Sequence, residues 1–364
     1  MKNVEWGEFK LGDLFEIATG RDVIIGDVQN GNIPLISHQH DNNGISKKIA
    51  QLSNRRLFNF ENTLPLADRG VFLATTQNEN FHIGTRVKAL TFKDGKKSLK
   101  IRKFIVACIN KLQILFLDYA SNATDNLPNL KIQLPTKNNK IDFEFIESFI
   151  AELEAERLAE LEAYLITTGL KDYTLTAEEQ KALDDFEKMK FEEFNVIDVF
   201  VVKNTGNILS RDIIENSGVT PYLCASAENN AVSSYISFDE KLLDKGNCVF
   251  IGGKTFVVTY QEKYFYSNDS HNLVLYLKNE EKRSKLNQLY LATCINKSLK
   301  HKYSWGDSVS NTKIKKDKVS LPTENKQPNY AIMETLISAI QKLVIKDVVL
   351  YADSKIDETR KTGG

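Results

Sequence analysis

Two stretches of the chain carry apolar residues at helical spacing among charged ones. Ile146, Phe149, Ile150, Leu153, Leu161 and Tyr164 fall on one face of a glutamate-rich segment, and Met333, Leu336, Ile337, Ile340, Val344, Val348 and Tyr351 do the same near the C-terminus. Positions three and four apart share a helix face, so the pattern predicts two long amphipathic helices. A helix over 141–166 is roughly 39 Å long at 1.5 Å per residue, enough to act as a spacer. The stripes can pack on each other as an antiparallel two-helix coiled coil, or each on the domain before it. Pairing is the simpler account of two stripes in one chain; it sets Ile146, Ile150, Leu153 and Leu161 against Ile337, Ile340, Val344 and Val348.

Elsewhere the pattern is of short strands and turns, then one helix, then a few irregular strands. Turns fall at HDNNG from His40 and FKDGKK from Phe92; helical periodicity runs through RKFIVACINKL from Arg102 and KLNQLYLATCINKSL from Lys285. The pattern occurs twice. FKLGDLF at Phe9 aligns with FNVIDVF at Phe194, and IPLISHQHDNNGIS at Ile33 with TPYLCASAENNAVS at Thr220. ACINK at Ala107 meets TCINK at Thr293, and LPTKN at Leu134 meets LPTEN at Leu321. Such steady spacing over weak identity indicates a duplication of roughly 186 residues, the kind of self-similarity that decides a fold. Each LPT closes a domain, its proline discouraging helix until the next segment.

The expected fold class is therefore α+β: two mixed domains at 1–140 and 191–327, a central helix and connector at 141–190, and a C-terminal helix at 328–364. In the connector, Gly169 suits the end of the first helix, and Thr176 with Glu179 forms a capping box for a second, shorter one.

The chain is long enough for two or three domains. It has no apolar run long enough to span a membrane, and Glu5 and Glu8 stand where a secretory signal places its apolar run. The expectation is a cytoplasmic protein. Zero net charge hides a segregation: residues 1–140 hold 20 basic against 13 acidic side chains, 141–190 hold 5 against 14, and 191–327 hold 18 against 16. The domains are basic and the first connector acidic, which leaves the domains able to meet phosphates. The four cysteines, Cys108, Cys224, Cys248 and Cys294, lack metal-site spacing, and Cys108 and Cys294 fall at equivalent places on helices, as core residues do.

No catalytic constellation is evident. IGGKTF at Ile251 resembles the end of a phosphate loop, but that pattern requires glycine where Cys248 stands, so a turn between strands is expected. His38 and His40 form an HxH without a further ligand at metal-site spacing, and the second copy has Ala225 and Ala227 there; no metal site is expected. What remains are polar loops at equivalent places. Asn and Gln pair with adenine edges, Arg and Lys with guanine, and hydroxyls hold phosphates. The candidates in the first copy are Ser37, His38, Gln39, His40, Asn42, Asn43, Arg69 (beside Asp68), Thr76, Gln77, Asn78, Arg86, Asn122, Thr124 and Asn126. In the second they are Ser226, Glu228, Asn229, Asn230, Lys254, Ser308, Ser310, Asn311 and Lys313.

With the order domain, helix, domain, helix in place, and with TGLKDYTLT at Thr168 after the first helix, the chain resembles the specificity subunits of type I restriction-modification systems and their type IIB relatives. The likeness spans nearly the whole chain and is most specific at the LPT-to-helix junctions and the connector. It implies two target-recognition domains, each reading half of a split site on double-stranded DNA, and helices that set the gap and dock DNA adenine methyltransferase subunits, with one or two of them left open. It also implies no catalysis and no cofactor in this chain. S-adenosylmethionine, and ATP and magnesium in a type I assembly, belong to methyltransferase and restriction or translocase partners. The chain lacks a helix before the first domain and a second TGLKDYTLT, which leaves type I and type IIB both open. Two other readings fit the residues less completely: a two-domain protein-binding adaptor, from the zero net charge and acidic helix, and a nuclease using His38 and His40.

Overall fold

The computed structural model describes residues 4–68, 72–116 and 126–362. Contacts divide it into two units, one built on the chain up to Leu161 and one on Glu162–Glu358.

In the first unit, strands Phe15–Thr19, Val87–Phe92, Thr63–Asp68 and Phe72–Ala74 lie side by side in that order, all antiparallel. The two central strands are buried at every position, as expected of strands covered on both faces. A second sheet orders Ile45–Ile49, Asn30–Ile36 and His82–Ile83, the last pair parallel. A third joins Glu5–Lys10, Lys131–Lys137 and Lys140–Ile141. The core lies between the four-stranded sheet and helix Leu99–Asn110, which Ser98 caps by accepting from the Ile101 N–H.

The second unit repeats this plan. Phe200–Asn204, Leu273–Leu277, Cys248–Ile251 and Val258–Gln261 make the four-stranded sheet; Val232–Ile236, Thr220–Leu223 and Tyr266–Ser267 the second; Phe191–Asn195, Lys318–Glu324 and Gln327–Pro328 the third. Helix Lys285–Leu299 takes the place of Leu99–Asn110. Residues 253–255 form a turn between strands, as expected from IGGKTF.

Both LPT junctions use one device. Leu134, Pro135 and Thr136 lie in Lys131–Lys137, which turns back through Asn138 and Asn139 at φ 53° and 60°. Leu321, Pro322 and Thr323 lie in Lys318–Glu324, which turns through Asn325 and Lys326 at 50° and 62°. Two consecutive positive φ values define the tight hairpin whose twist matches that of its strands. After a two-residue strand, Lys140–Ile141 or Gln327–Pro328, the long helix is capped: Asp142 Oδ1 accepts from the Phe145 N–H at 2.9 Å, and Asn329 Oδ1 from the Ile332 N–H at 3.1 Å. These satisfy helix-end donors that otherwise have no partner.

The two long helices are Phe143–Thr167 and Tyr330–Thr362. Ile146 is fully buried in the first unit's core and Ile150 packs beside it; Ile337 packs on the second unit's core with Met333 and Leu336. These residues anchor each helix to its own domain, because the hairpin delivers the first turns directly over the core. Leu153 and Leu161 are half-buried, whereas Ile340, Val344 and Val348 face solvent, Val344 at 73% exposure. Gly169, at φ +71°, ends the first long helix, and Thr176 and Glu179 form the expected capping box on helix Ala177–Asp184.

Candidate nucleic-acid interface

The loops SHQHDNN and SAENN fold alike because the same side chains hold them. Asn42 and Asn43 sit at φ 47° and 54°, Asn229 and Asn230 at 46° and 52°, in the left-handed region that asparagine tolerates. Asn42 Nδ2 donates to the Ile45 carbonyl at 3.0 Å, and Asn229 Nδ2 to the Val232 carbonyl at 3.0 Å. Asn43 Nδ2 donates to the Thr76 carbonyl (2.6 Å) and Asn230 Nδ2 to the Tyr260 carbonyl (3.0 Å). From beneath, buried Gln77 donates to the Asn43 carbonyl and Thr75 Oγ1, as buried Gln261 does to the Asn230 carbonyl and Thr259 Oγ1.

Each of the five candidate amides among these thus gives an N–H to a protein acceptor, while the four asparagines remain exposed. Asn42, Asn43, Gln77, Asn229 and Asn230 frame the loops, since a buried or turn-forming amide must satisfy its donors locally. Gln261 was missed by sequence reasoning. The signal was present as a Thr-x-Gln in both copies, at Thr75 and Thr259.

The side chains carried outward by this frame are His38, His40, Asn78 and Glu228, all exposed, with Ser37 and Thr76 half-buried. Gln39 donates to the Asp41 and Ile45 carbonyls, and Ser226 Oγ accepts from the Glu228 N–H. Arg86 is half-buried at φ +61° and Asn126 is exposed. Arg69, Asn122 and Thr124 lie outside the described residues. In the stretch after Trp305, Ser310 caps helix Asn311–Ile314, Asn311 donates to Asn204 Oδ1 at 3.0 Å, and Lys313 bonds Asp307 and the Ser308 carbonyl.

Beside the SAENN loop the second unit has a polar cleft of about 280 Å³ lined by Ser226, Lys254, Asn268, Asp269, Asn272 and Trp305. Asp269 Oδ1 accepts from the His271 N–H (2.9 Å) and ring (2.7 Å), and Oδ2 lies 3.4 Å from Lys254 Nζ. Partial burial pushes this carboxyl upward, but the His271 bonds and the Lys254 charge outweigh it, holding Asp269 below the usual carboxylate range. Buried Asn272 bonds the Gly253 N–H, Ser267 and Asn268, and fixes the floor.

Among the described residues, no group of three or more His, Cys, Asp or Glu is placed to hold a metal ion. Burial pushes the Cys248 and Cys294 thiols up to about 12, which keeps them protonated and unreactive. Also among the described residues, no helix is long and apolar enough to cross a membrane.

Known proteins place this arrangement. The family model for the type I restriction modification DNA specificity domain matches twice, at 3–163 and 188–350. The type II restriction enzyme BgcI specificity subunit S.BcgI of Heyndrickxia coagulans is 25% identical over 351 residues, covering 94% of this chain and 96% of that one. The S subunit of a type I restriction-modification system from M. genitalium shares the fold, with a TM-score of 0.61 at 15% identity over 100% of this chain and 93% of that one. The duplicated domains, their helices and their framed polar loops make this chain a member of the type I restriction-modification DNA specificity family, a targeting subunit without catalysis of its own.

Proposed function

We propose that the two units each read one half of a bipartite site on double-stranded DNA. The domains correspond to 1–140 and 191–327, with 141–190 and 328–364 as spacers that fix the gap and dock adenine methyltransferase subunits. The observation that carries this reading is the pair of similarly framed loops, one per unit, that carry different side chains at equivalent positions: His38 and His40 in one, Ala225 and Ala227 in the other. One scaffold presenting two different surfaces suits an asymmetric split site. The exposed row Ile340, Val344 and Val348 is the face such a partner would cover. S-adenosylmethionine belongs to the methyltransferase, and ATP and magnesium to a restriction subunit where one joins. The assembly works in the cytoplasm, where its DNA is.

Titrating duplex DNA against the chain bound to its methyltransferase tests this. If six or more phosphates are contacted, the slope of log affinity against log salt is about −5 or steeper. A flat salt response, with retained binding to polypeptides, supports the adaptor reading instead.

A further inference from the structure

We propose that the cleft between Lys254, Asp269 and Trp305 is a specificity-determining site that reads one G·C base pair of the second half-site. This deepens the specificity-subunit reading and rests on it. Lys254 and Asp269 place a cationic donor and an anionic acceptor 3.4 Å apart at the cleft. A G·C pair presents the complementary set in the major groove, with O6 and N7 acceptors on guanine beside the N4 amino donor on cytosine. Lysine meets the first and aspartate the second. Asn268 adds a donor: its Oδ1 is taken by Asn272, while its Nδ2 has no protein partner among the described residues.

The cleft is held ready. His271 grips one oxygen of Asp269 from its main chain and its ring, and Asn272, 1% exposed, fixes the segment below. Thr255 Oγ1 ties the Lys254 turn to the Ala225 carbonyl at 2.9 Å, joining the cleft to the SAENN loop. Trp305 stands at the rim, 75% exposed, with Lys254 Nζ 5.9 Å from its ring centroid. An indole so exposed loses apolar hydration cost only when something covers it. Against DNA it shields the Lys254 and Asp269 contacts from water, which strengthens both.

The first copy differs where it matters. Arg69 and Tyr119 precede Lys254 and Trp305 by 185 and 186 residues, repeat offsets already seen, so a cation and an aromatic recur in the sequence. The carboxylate does not recur at the same position of the chain. Ile83 pairs with Ile36 as Ser267 pairs with Leu223, and this register sets Thr85 opposite Asp269. Thr85 instead donates to the Asp22 carboxylate, which reaches this place from a different part of the chain.

The test is mapping of modified bases in cells that co-express the chain and its methyltransferase, with Asp269→Asn, Lys254→Gln and Trp305→Ala compared to wild type. The expected result is relaxation at one G·C position of the second half-site, with modification of sites altered there rising roughly 5- to 150-fold, and the first half-site and gap unchanged. An unchanged motif in all three variants overturns the proposal, as does relaxation in the first half-site. Loss of modification at every site, with the complex still assembled, assigns the cleft to gripping the backbone and also overturns it. Absence of any split motif in the wild type is a separate failure, that of the functional reading.

Discussion

Glu179 Oε2 accepts a hydrogen bond from Lys342 Nζ at 2.9 Å, across 163 residues of chain. The other oxygen accepts from Ser338 at 2.6 Å, and Oε2 also takes the Thr176 N–H. One carboxylate, 6% exposed, thus caps the connector helix and ties it to the C-terminal helix within the second unit.

Removing the cation exposes what this tie contributes. Lys342→Met is expected to cost about 1.5–3 kcal/mol, the range for a hydrogen bond to a charged group, measured by denaturant unfolding. The pH dependence has a definite sign. Burial pushes Glu179 upward, but bonds from Ser338, the Thr176 main chain and Lys342 outweigh it, so its folded pKa is depressed. Its stabilisation is complete above the unfolded value of about 4.3 and is lost as pH falls through the folded one. Lys342→Met should therefore flatten the acid limb of Tm against pH; a limb as steep as wild type would contradict this.

The framed loops yield a contrast within one surface. Gln261→Ala removes a buried amide and leaves the Asn230 carbonyl without its donor, an expected loss of about 1–3 kcal/mol. Glu228→Ala, exposed on the same loop, should stay within about 0.5 kcal/mol. Equal losses in thermal melts would mean that Gln261 does not hold the loop.

Independent reading predicts the result of a domain exchange. Replacing residues 1–140 with those of a relative should change one half of the modified motif and leave the other half and the gap intact. Change in both halves would show that the domains do not read separately.

Distance should be editable apart from recognition. Four residues inserted near Leu158 lengthen the helix by about 6 Å, roughly two base pairs of DNA. The modified motif should keep both halves and widen between them. An altered half-site with an unaltered gap would remove the spacer role.

The architecture was legible in the sequence because duplication and helical periodicity are chain-long signals. The LPT junctions, the capping box at Thr176 and the end at Gly169 are local chemistry that neighbours alone decide, and they fold as read. Two things were not legible. Ile146 and Ile337 carry the same apolar stripe whether they meet a helix or a core, and only the hairpin that delivers the helix decides between them. The loop asparagines carry the same amides whether or not a protein carbonyl takes one of their N–H groups. Thr76 and Tyr260, the residues whose carbonyls take the amides of Asn43 and Asn230, lie 33 and 30 positions further along the chain.

The central claim, that this chain gives a methyltransferase a two-part address, is tested most directly by mapping modified adenines in cells carrying the chain and its methyltransferase partner. The account predicts one motif with two defined halves separated by a fixed stretch of unspecified bases. A continuous motif, or modification without sequence preference, would contradict it.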